Sequence, residues 1–355
     1  MPISHFKHAK ITGIIATVPA VVKKLADEPL FHGNPIQIER IKQSVGLSER
    51  VVTDATTTTV DLSEDAAKAL LQQLNILPES IDAIICVTQT GDYILPCSAA
   101  VLHQRLELKK ECAGFDVNLG CSGYVYGLWL AFMMVECGGC HRVLLACGDT
   151  TSKLVHSKDK STLPLFGDAG TATLIERSDI ESSSFFNLFT DGVGYPHLIV
   201  PAGGFRIPKS SETNLEITMP TGSITSDESI QMNGGEVFNF TLREVPSSIE
   251  ALLQFSSIDK SQIQYAVFHQ ANKYIVQNLV RRLKIPIAKA PTNAIEKYGN
   301  QSSASIPVTI LEACLDLIST ESTCLLLSGF GVGLSWANAI LQVGPIVCQK
   351  PRIYP

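Results

Sequence analysis

The chain has 355 residues, of which 45% are hydrophobic and 17% are charged. This composition is typical of a globular protein with a large core, and the length predicts two domains or one domain of double size. The formal net charge of −6 and the lack of long basic runs argue against general affinity for nucleic acid. No apolar stretch approaches about 18 residues, so we predict no membrane span.

Ten cysteines lie mostly inside apolar runs, and no export signal accompanies them. We therefore expect reduced thiols in a cytoplasmic protein rather than a disulfide framework. Cys137 and Cys140, followed by His141, match a short pattern that also occurs at zinc and haem sites. No second cysteine pair lies nearby, so we interpret this segment as a turn and predict no metal site.

Strands and helices are predicted to alternate along the first half of the chain. Strand-like apolar runs occur at residues 11–22, 81–87, 115–117, 143–147 and 171–175. Helical patterns occur at residues 36–41, 62–74 and 96–106, and directly after Cys121. Residues 56–59 are expected to form a polar loop.

The second half repeats this order of elements. Its strands are predicted at residues 264–268, 324–327 and 337–341, and a helix is predicted to begin within 299–303. We therefore divide the chain into halves 1–177 and 178–355, and residues 178–225 connect them with surface loops. Two copies of a βα-rich unit predict two mostly parallel sheets covered by helices, with a shared layer between them.

Cys121 lies where a buried strand is predicted to end and a helix to begin, with Gly120 and Gly123 beside it. The unpaired N–H groups of a helix N-terminus favour an anion, so we expect this thiol to be biased toward the thiolate. A small buried cysteine that fills a gap in the core is the alternative.

Three further segments are predicted to follow strand ends, where the chemistry of such sheets is found. His269 directly follows a buried strand, Asn300 lies at a polar helix entrance, and residues 328–333 form a glycine-rich turn. Individually these fit a core histidine, a helix cap and a tight turn. Together with Cys121, at equivalent places in the two repeats, they predict one catalytic site.

The motifs that carry a family resemblance are distributed along nearly the whole chain. They are residues 45–50, the Cys121 turn, and residues 166–170, 233–238, 269–272, 298–300 and 329–333. With these motifs the chain resembles the ketoacyl synthase III branch of the thiolase-like superfamily. The resemblance implies a duplicated five-layered αβαβα fold of the α/β class, a Cys-His-Asn condensing enzyme and a homodimer.

The resemblance also implies the role of each site residue. Cys121 would take an acyl group from a thioester, and its own N–H with that of Val332 would form the oxyanion hole. His269 and Asn300 would stabilise the enolate formed as a malonyl thioester loses carbon dioxide. Phe330 would exclude water beside the site. Coenzyme A or the phosphopantetheine of an acyl carrier protein would carry the substrates, and no cofactor is needed.

Other positions bear on how the carrier binds. Asn272 is expected to contact the pantetheine arm. Arg40 and Ser44 stand where bacterial members commonly have a Trp and an Arg around the adenine of coenzyme A. Lys160 replaces an Arg that contacts phosphate, and it keeps the charge without the bidentate fork.

Two surface features bear on the partners. Tyr274 occupies a position where an Arg for carrier docking is frequent, and Arg281 with Arg282 supplies a basic patch for an acidic carrier protein. Leu95 stands in place of an aromatic residue that lines the acyl pocket of the partner subunit, which indicates a different acyl length or branching.

Three functions follow from these patterns. The first is a decarboxylating condensation in fatty-acid or related acyl-chain synthesis. The second keeps Cys121 and His269 but passes the acyl group to an amine or hydroxyl of a sugar or secondary metabolite. The third is a non-catalytic subunit that pairs with another synthase, which the intact Cys121, His269 and Asn300 disfavour.

Overall fold

A computed structural model describes residues 2–31 and 33–355 of the chain. Its strands, in chain order, are β1 (Ile3–Phe6), β2 (Ala9–Val18), β3 (Val21–Lys24), β4 (Glu49–Val52), β5 (Ala83–Val87), β6 (Ala113–Val117), β7 (Arg142–Asp149), β8 (Ala169–Arg177), β9 (Ser184–Thr190), β10 (Leu198–Ile199), β11 (Ile217–Thr218), β12 (Ile224–Thr225), β13 (Gln231–Met232), β14 (Tyr265–Phe268), β15 (Thr323–Gly331), β16 (Ser335–Val343), β17 (Val347–Cys348) and β18 (Arg352–Ile353).

The α-helices alternate with these strands in both halves. They are α1 (Pro35–Val45), α2 (Thr59–Leu74), α3 (Ser98–Arg105), α4 (Gly123–Glu136), α5 (Gly234–Ser256), α6 (Lys273–Leu283), α7 (Asn293–Tyr298), α8 (Ser305–Ala313) and α9 (Leu315–Ile318). Within residues 2–31 and 33–355, no helix combines the length and the apolar character needed to cross a membrane.

Five layers are stacked in the order helix, sheet, helix, sheet, helix. Helices α2 and α3 cover the outer face of the first sheet, and α5 and α6 cover the outer face of the second. Helices α4 and α8 lie between the sheets and share one large apolar core with both. This arrangement confirms the predicted duplicated αβαβα architecture.

The central position of α4 explains its composition. The helix is apolar on nearly all sides, as expected for a helix that is buried between two sheets. Glycine allows it to approach the first sheet closely, because a Cβ on Gly127 would lie 2.7 Å from Leu145 Cδ1. The helix that begins two residues after the predicted nucleophile is therefore packed tightly between the two sheets.

The first sheet is mixed. Its strand order is β17-β2-β8-β7-β5-β6, and β18 also pairs with β2. The pairs β5–β6 and β5–β7 are parallel, whereas β7–β8 and β2–β8 are antiparallel. Cys121 follows β6, and Asp149 ends β7, so both lie at the carboxyl edge of the parallel strands.

The second sheet corrects the prediction of mostly parallel strands. Its order is β1-β9-β16-β15-β14, and only β14–β15 is parallel. The prediction was wrong here because only three residues separate β15 from β16, and so short a turn returns the chain antiparallel to itself. His269 directly follows β14 and therefore still lies at a carboxyl end of a parallel strand.

Strands at the two ends of the chain pair across the halves. β1 pairs with β9 of the second sheet, and β17 pairs with β2 of the first. β8 ends at Arg177, the residue before the predicted boundary. The division into halves 1–177 and 178–355 remains a proposal, and in either case each half contributes an edge strand to the sheet of the other.

Two helix starts differ from the predictions. Residues 56–59 were expected to be a loop, but α2 begins at Thr59, because the Thr58 side chain accepts from the Asp61 N–H while Asp61 accepts from the Thr58 N–H. The helix expected within 299–303 is α8, which begins at Ser305 after a 3-10 turn at Ser302–Ala304.

Candidate active site

Three strand and helix ends bring Cys121, His269 and Asn300 to the wall of one narrow cavity. Its volume is about 70 Å³. Phe330 and Asn272 line the same cavity, as do Leu165, Phe166, Leu198, Met232, Gly234, Val237, Ala271, Ile275 and Gly331. Residues from both halves of the chain thus share one small space.

A second, larger cavity also begins at Cys121. It has a volume of about 560 Å³, and it shares Cys121, Phe166 and Leu198 with the narrow one. His269 and Asn300 do not line it. Cys121 therefore lies at the junction of two spaces, of which only the narrow one contains the imidazole and the amide.

The ionisation of Cys121 differs from the expectation of a thiolate. The side chain is buried, and burial raises the pKa of the thiol to about 11. Hydrogen bonds from the backbone of Val332 and of Cys121 itself act in the opposite direction, and the charge of Asp149 raises the pKa further. Helix α4 begins only at Gly123, after Ser122 as its cap. The expectation of a thiolate was wrong because desolvation outweighs the helix end.

The glycine-rich end of β15 packs directly against Cys121. A Cβ on Gly331 would lie 2.7 Å from the Cys121 Sγ, and a Cβ on Gly329 would lie 2.9 Å from the Cys121 carbonyl oxygen. Side chains at these two positions would displace the nucleophile. This close approach brings the Val332 N–H within hydrogen-bonding reach of the sulfur.

His269 is held by the start of α8. Its Nδ1 lies 2.7 Å from Ser305 Oγ, and its backbone N–H donates to the Ser328 carbonyl at 2.8 Å. The ring packs edge-on against Phe330, with 5.6 Å between the ring centroids. Burial lowers the pKa of His269 to about 3, and a hydrogen bond with the Ser302 backbone opposes this shift. The imidazole is therefore neutral near pH 7.

Asn300 is fixed by its backbone and by one end of its amide. Its N–H donates to the Leu165 carbonyl at 2.8 Å, and its Oδ1 accepts from the Ser302 N–H at 2.9 Å. With Oδ1 occupied, Nδ2 is the end that can donate to a ligand in the narrow cavity. Gly167 permits this arrangement, since a Cβ there would lie 1.9 Å from the Tyr298 carbonyl oxygen.

Sequence reasoning missed the buried carboxyl of Asp149. Its Oδ1 accepts from the Gln89 N–H at 2.8 Å, and its Oδ2 accepts from Ser303 Oγ at 2.8 Å. Burial raises the pKa of Asp149, and these hydrogen bonds oppose the shift. The carboxyl ties the loop after β5 to the turn after Asn300. Its position at the end of β7 was the available signal, because the same rule located His269.

The remaining predicted residues fall into two groups. Val332 lines the large cavity, while Asn272 caps α6 through its Oδ1, which accepts from the Ile275 N–H at 2.7 Å. Five lie outside both cavities on the surface: Leu95 before α3, Arg40 on α1, Lys160 in a turn, and Arg281 and Arg282 in the last turn of α6.

Arg40 lines a separate shallow groove with Pro35, Ile36, Glu39 and Gln43. Helix α1 nevertheless ends close to the start of α6, because a Cβ on Gly46 would lie 2.7 Å from Lys273 Cβ.

The cysteine pair in the turn after α4 differs in exposure, since Cys137 is exposed and Cys140 is buried. Within residues 2–31 and 33–355, no group of three His, Cys, Asp or Glu could hold a metal.

Comparison with known proteins agrees with this geometry. Residues 115–192 match the family model of 3-oxoacyl-[acyl-carrier-protein] synthase III, and residues 253–343 match the model of its C-terminal part. A Campylobacter jejuni protein, named provisionally as a 3-oxoacyl-[acyl-carrier-protein] synthase 3, is 38% identical over 353 residues, which cover 99% of this chain and 98% of that protein.

A solved bacterial structure and a plant protein are also similar to this chain. The crystal structure of a 3-oxoacyl-(acyl-carrier protein) synthase from Burkholderia xenovorans LB400 has a TM-score of 0.93 and 38% identity, with 99% of each chain covered. The chloroplastic β-ketoacyl-[acyl-carrier-protein] synthase III of Arabidopsis thaliana is 32% identical over 343 residues, which cover 94% of this chain and 82% of that protein.

The fold is that of the thiolase-like condensing enzymes. Within that class, the chain belongs to the 3-oxoacyl-[acyl-carrier-protein] synthase III family, as the sequence motifs predicted. Membership supports an enzyme that transfers acyl groups in a condensation.

Proposed function

We propose that the protein catalyses the decarboxylative condensation of an acyl thioester with malonyl-acyl-carrier protein, in fatty-acid or related acyl-chain biosynthesis. The observation that carries this proposal is the position of Cys121 between two cavities, of which the narrow one also holds His269 and Asn300. One space suits the acyl group, and the other suits the second thioester. The names of the relatives support the same reaction.

In the first half-reaction, Cys121 Sγ attacks the thioester carbonyl. The Sγ–C bond forms, the bond to the carrier sulfur breaks, and the proton of Cys121 ends on the departing carrier thiol. In the free protein, the N–H groups of Cys121 and Val332 both hydrogen-bond to the Cys121 sulfur. In the reaction they would stabilise the oxyanion of the tetrahedral intermediate. Because the pKa of the Cys121 thiol is high, we expect its proton to leave only as the Sγ–C bond forms.

In the second half-reaction, a malonyl thioester enters the narrow cavity and loses carbon dioxide. The electron pair of the broken C–C bond passes to the thioester carbonyl, whose oxygen accepts hydrogen bonds from His269 Nε2 and Asn300 Nδ2. A neutral imidazole with Nδ1 bound to Ser305 is suited to donate from Nε2. The carbanion then attacks the acyl carbon on Cys121, the Sγ–C bond breaks, and the β-ketoacyl thioester leaves, while the released Cys121 thiolate takes up a proton from water.

The carrier and the oligomeric state belong to the same proposal. The phosphopantetheine arm of coenzyme A or acyl carrier protein would pass Asn272 to reach Cys121. The carrier itself would meet the surface cations, which are Arg40, Lys160, Arg281 and Arg282. A homodimer is favoured by two features: the apolar side chains of Tyr93, Ile94 and Leu95 are 62%, 80% and 79% exposed, and β6 ends the first sheet.

One observation favours a second candidate, a transfer without decarboxylation to an amine or hydroxyl. Arg40, which stands at a coenzyme A position, lines a groove separate from both cavities. In this reaction the narrow cavity would admit a nucleophile instead of a malonyl group.

The test is release of labelled carbon dioxide from malonyl-acyl-carrier protein. We expect release to depend on the acyl donor and to fall roughly 10²–10³-fold in Asn300→Ala, which removes one donor to the enolate. Asn278→Ala, a half-buried asparagine on α6 that lies outside both cavities, is the control and should retain full activity. Acyl loading of Cys121 with no carbon dioxide release would favour the second candidate.

A further inference from the structure

The two cavities that meet at Cys121 differ greatly in size, about 560 Å³ against about 70 Å³. We propose that the acyl group carried by Cys121 is a medium-length chain of about six to twelve carbons, held in the larger cavity. This inference rests on the proposed function and names its substrate class.

The direction of the acyl chain follows from where the chemical groups lie. His269 and Asn300 line only the narrow cavity, which the incoming thioester must occupy during the condensation. The acyl group on the Cys121 sulfur must leave that space free. The larger cavity is the other space that begins at the sulfur, so the chain extends into it.

The volume decides between a short and a longer group. A non-hydrogen atom takes up on the order of 30 Å³ when judged by the volume of a water molecule in the liquid. An acetyl group would leave most of a 560 Å³ cavity empty, and a cavity of this size normally encloses a much larger ligand. Even when half of the space is assigned to the open mouth and to the Leu95 side chain that a partner subunit would contribute, the remaining half holds about nine non-hydrogen atoms, which lies within the proposed range.

The lining suits an unbranched apolar chain along one wall. Leu154, Leu198, Val200 and Ile230 contribute apolar side chains, and Phe166 stands at the junction with the narrow cavity. The wall is fixed by backbone hydrogen bonds, because β10 pairs with β13 and the Ile230 N–H donates to the Leu154 carbonyl at 2.8 Å. The opposite wall is polar.

The large cavity also has a charged pair in its lining. Lys209 and Glu228 also line the large cavity, with 3.6 Å between Lys209 Nζ and Glu228 Oε2. Glu228 is largely buried and accepts from Thr213 Oγ1 at 2.7 Å through its other oxygen. The Lys209 side chain is exposed to solvent, so an acyl chain gains little apolar contact from this pair.

The first experiment measures the rate of acylation of Cys121 by intact-protein mass spectrometry. The donors are acetyl, butanoyl, hexanoyl, octanoyl and dodecanoyl thioesters, each as the coenzyme A and the acyl-carrier-protein form. Each methylene that leaves water favours binding roughly fourfold. We expect octanoyl loading to exceed acetyl loading at least tenfold. Acetyl loading as fast as octanoyl loading would overturn the proposal.

The second experiment fills the cavity. Ala202 is buried and lines it, so Ala202→Phe should reduce octanoyl loading at least tenfold and leave acetyl loading within about twofold. Ala288→Phe places the same ring at an exposed position outside both cavities and should change neither rate. Retained acetyl loading also reports that the variant is folded.

The outcomes separate this inference from the proposed function. Equal loss of both rates in Ala202→Phe would call for Ile230→Phe as the second filling variant, and unchanged octanoyl loading in both variants would overturn the placement of the chain. If no thioester of any length acylates Cys121, the proposed function fails and the chain-length proposal fails with it. If acetyl alone loads, only the chain-length proposal fails.

Discussion

A protonated thiol and a neutral imidazole share the narrow cavity. Burial raises the pKa of Cys121 to about 11 and lowers the pKa of His269 to about 3. Both shifts have the same cause, since desolvation disfavours the charged form of each group. The free protein therefore differs from a thiolate–imidazolium pair, and in the proposed reaction the Cys121 thiolate would form only when a thioester is bound.

This ionisation predicts the pH dependence of alkylation. The thiolate fraction of a group below its pKa rises about tenfold for each pH unit, so iodoacetamide should modify Cys121 faster with each unit from pH 7 to 10, without levelling off. N-acetylcysteine, as the control, should level off above pH 9. Asp149→Asn removes a negative charge that raises the pKa, and its profile should shift to lower pH. Peptide mass spectrometry of Cys121 measures the rate, and a rate independent of pH between 6 and 8 would contradict the account.

The same shifts affect stability, with opposite signs in pH. Below pH 6.5 the unfolded chain takes up a proton on His269, whereas the folded protein does not. The free energy of unfolding therefore decreases as the pH falls from 6.5 toward 3. The raised pKa of Cys121 stabilises the folded state below pH 9, and that contribution is lost as the pH rises toward 11.

At the scale of elements, the site depends on a few close backbone approaches. Residues 167–168, just before β8, pack against the loop that carries Asn300. The Gly167 N–H donates to the Asn300 carbonyl at 3.0 Å. Asp168, the next residue, accepts from Thr53 and Ser152 and fixes this segment to the first half. Asn300 is thus positioned by a contact between the halves.

Gly167→Ala tests this contact. Its Cβ would lie 1.9 Å from the Tyr298 carbonyl oxygen, so the loop before Asn300 must move. We expect the variant to lose about 1–3 kcal/mol of stability and at least tenfold in condensation rate. Gly192→Ala is the matched control, because nothing lies within 4 Å of its Cβ. Chemical denaturation and the carbon dioxide assay give the two readouts, and full activity in Gly167→Ala would contradict this role.

At the scale of the whole molecule, the two halves are joined by exchanged strands and by a shared helical layer. β1 lies in the second sheet and β17 in the first, and both sheets pack on α4 and α8. Neither half contains all the strands of its own sheet. The active site, which takes Cys121 from one half and His269 with Asn300 from the other, requires both.

This connectivity predicts how fragments behave. Residues 1–177 and residues 178–355, each expressed alone, should show no cooperative thermal unfolding, because each exposes the apolar face that the central layer covers. Co-expression of the two should restore a cooperative transition and acyl loading of Cys121. A sharp transition for either fragment alone, followed by circular dichroism, would show that the halves are independent.

The sequence predicted those features that depend on local pattern. Cys121 and His269 directly follow apolar runs, and the repeat of those runs indicated the duplicated fold. The pKa of Cys121 was beyond prediction, because its burial comes from Gly329 and Gly331, which are distant in the chain. The pairing of β9 with β16 and with β1 in the second sheet, and the large cavity, likewise depend on tertiary contacts that no local pattern records.

The most direct measurement is the mass of Cys121 during a single turnover. After incubation with an acyl thioester, the peptide that contains Cys121 should carry the acyl group, and addition of malonyl-acyl-carrier protein should remove it with release of one equivalent of carbon dioxide. A β-ketoacyl product formed while Cys121 stays unmodified, or an acyl group that malonyl-acyl-carrier protein does not discharge, would contradict the account.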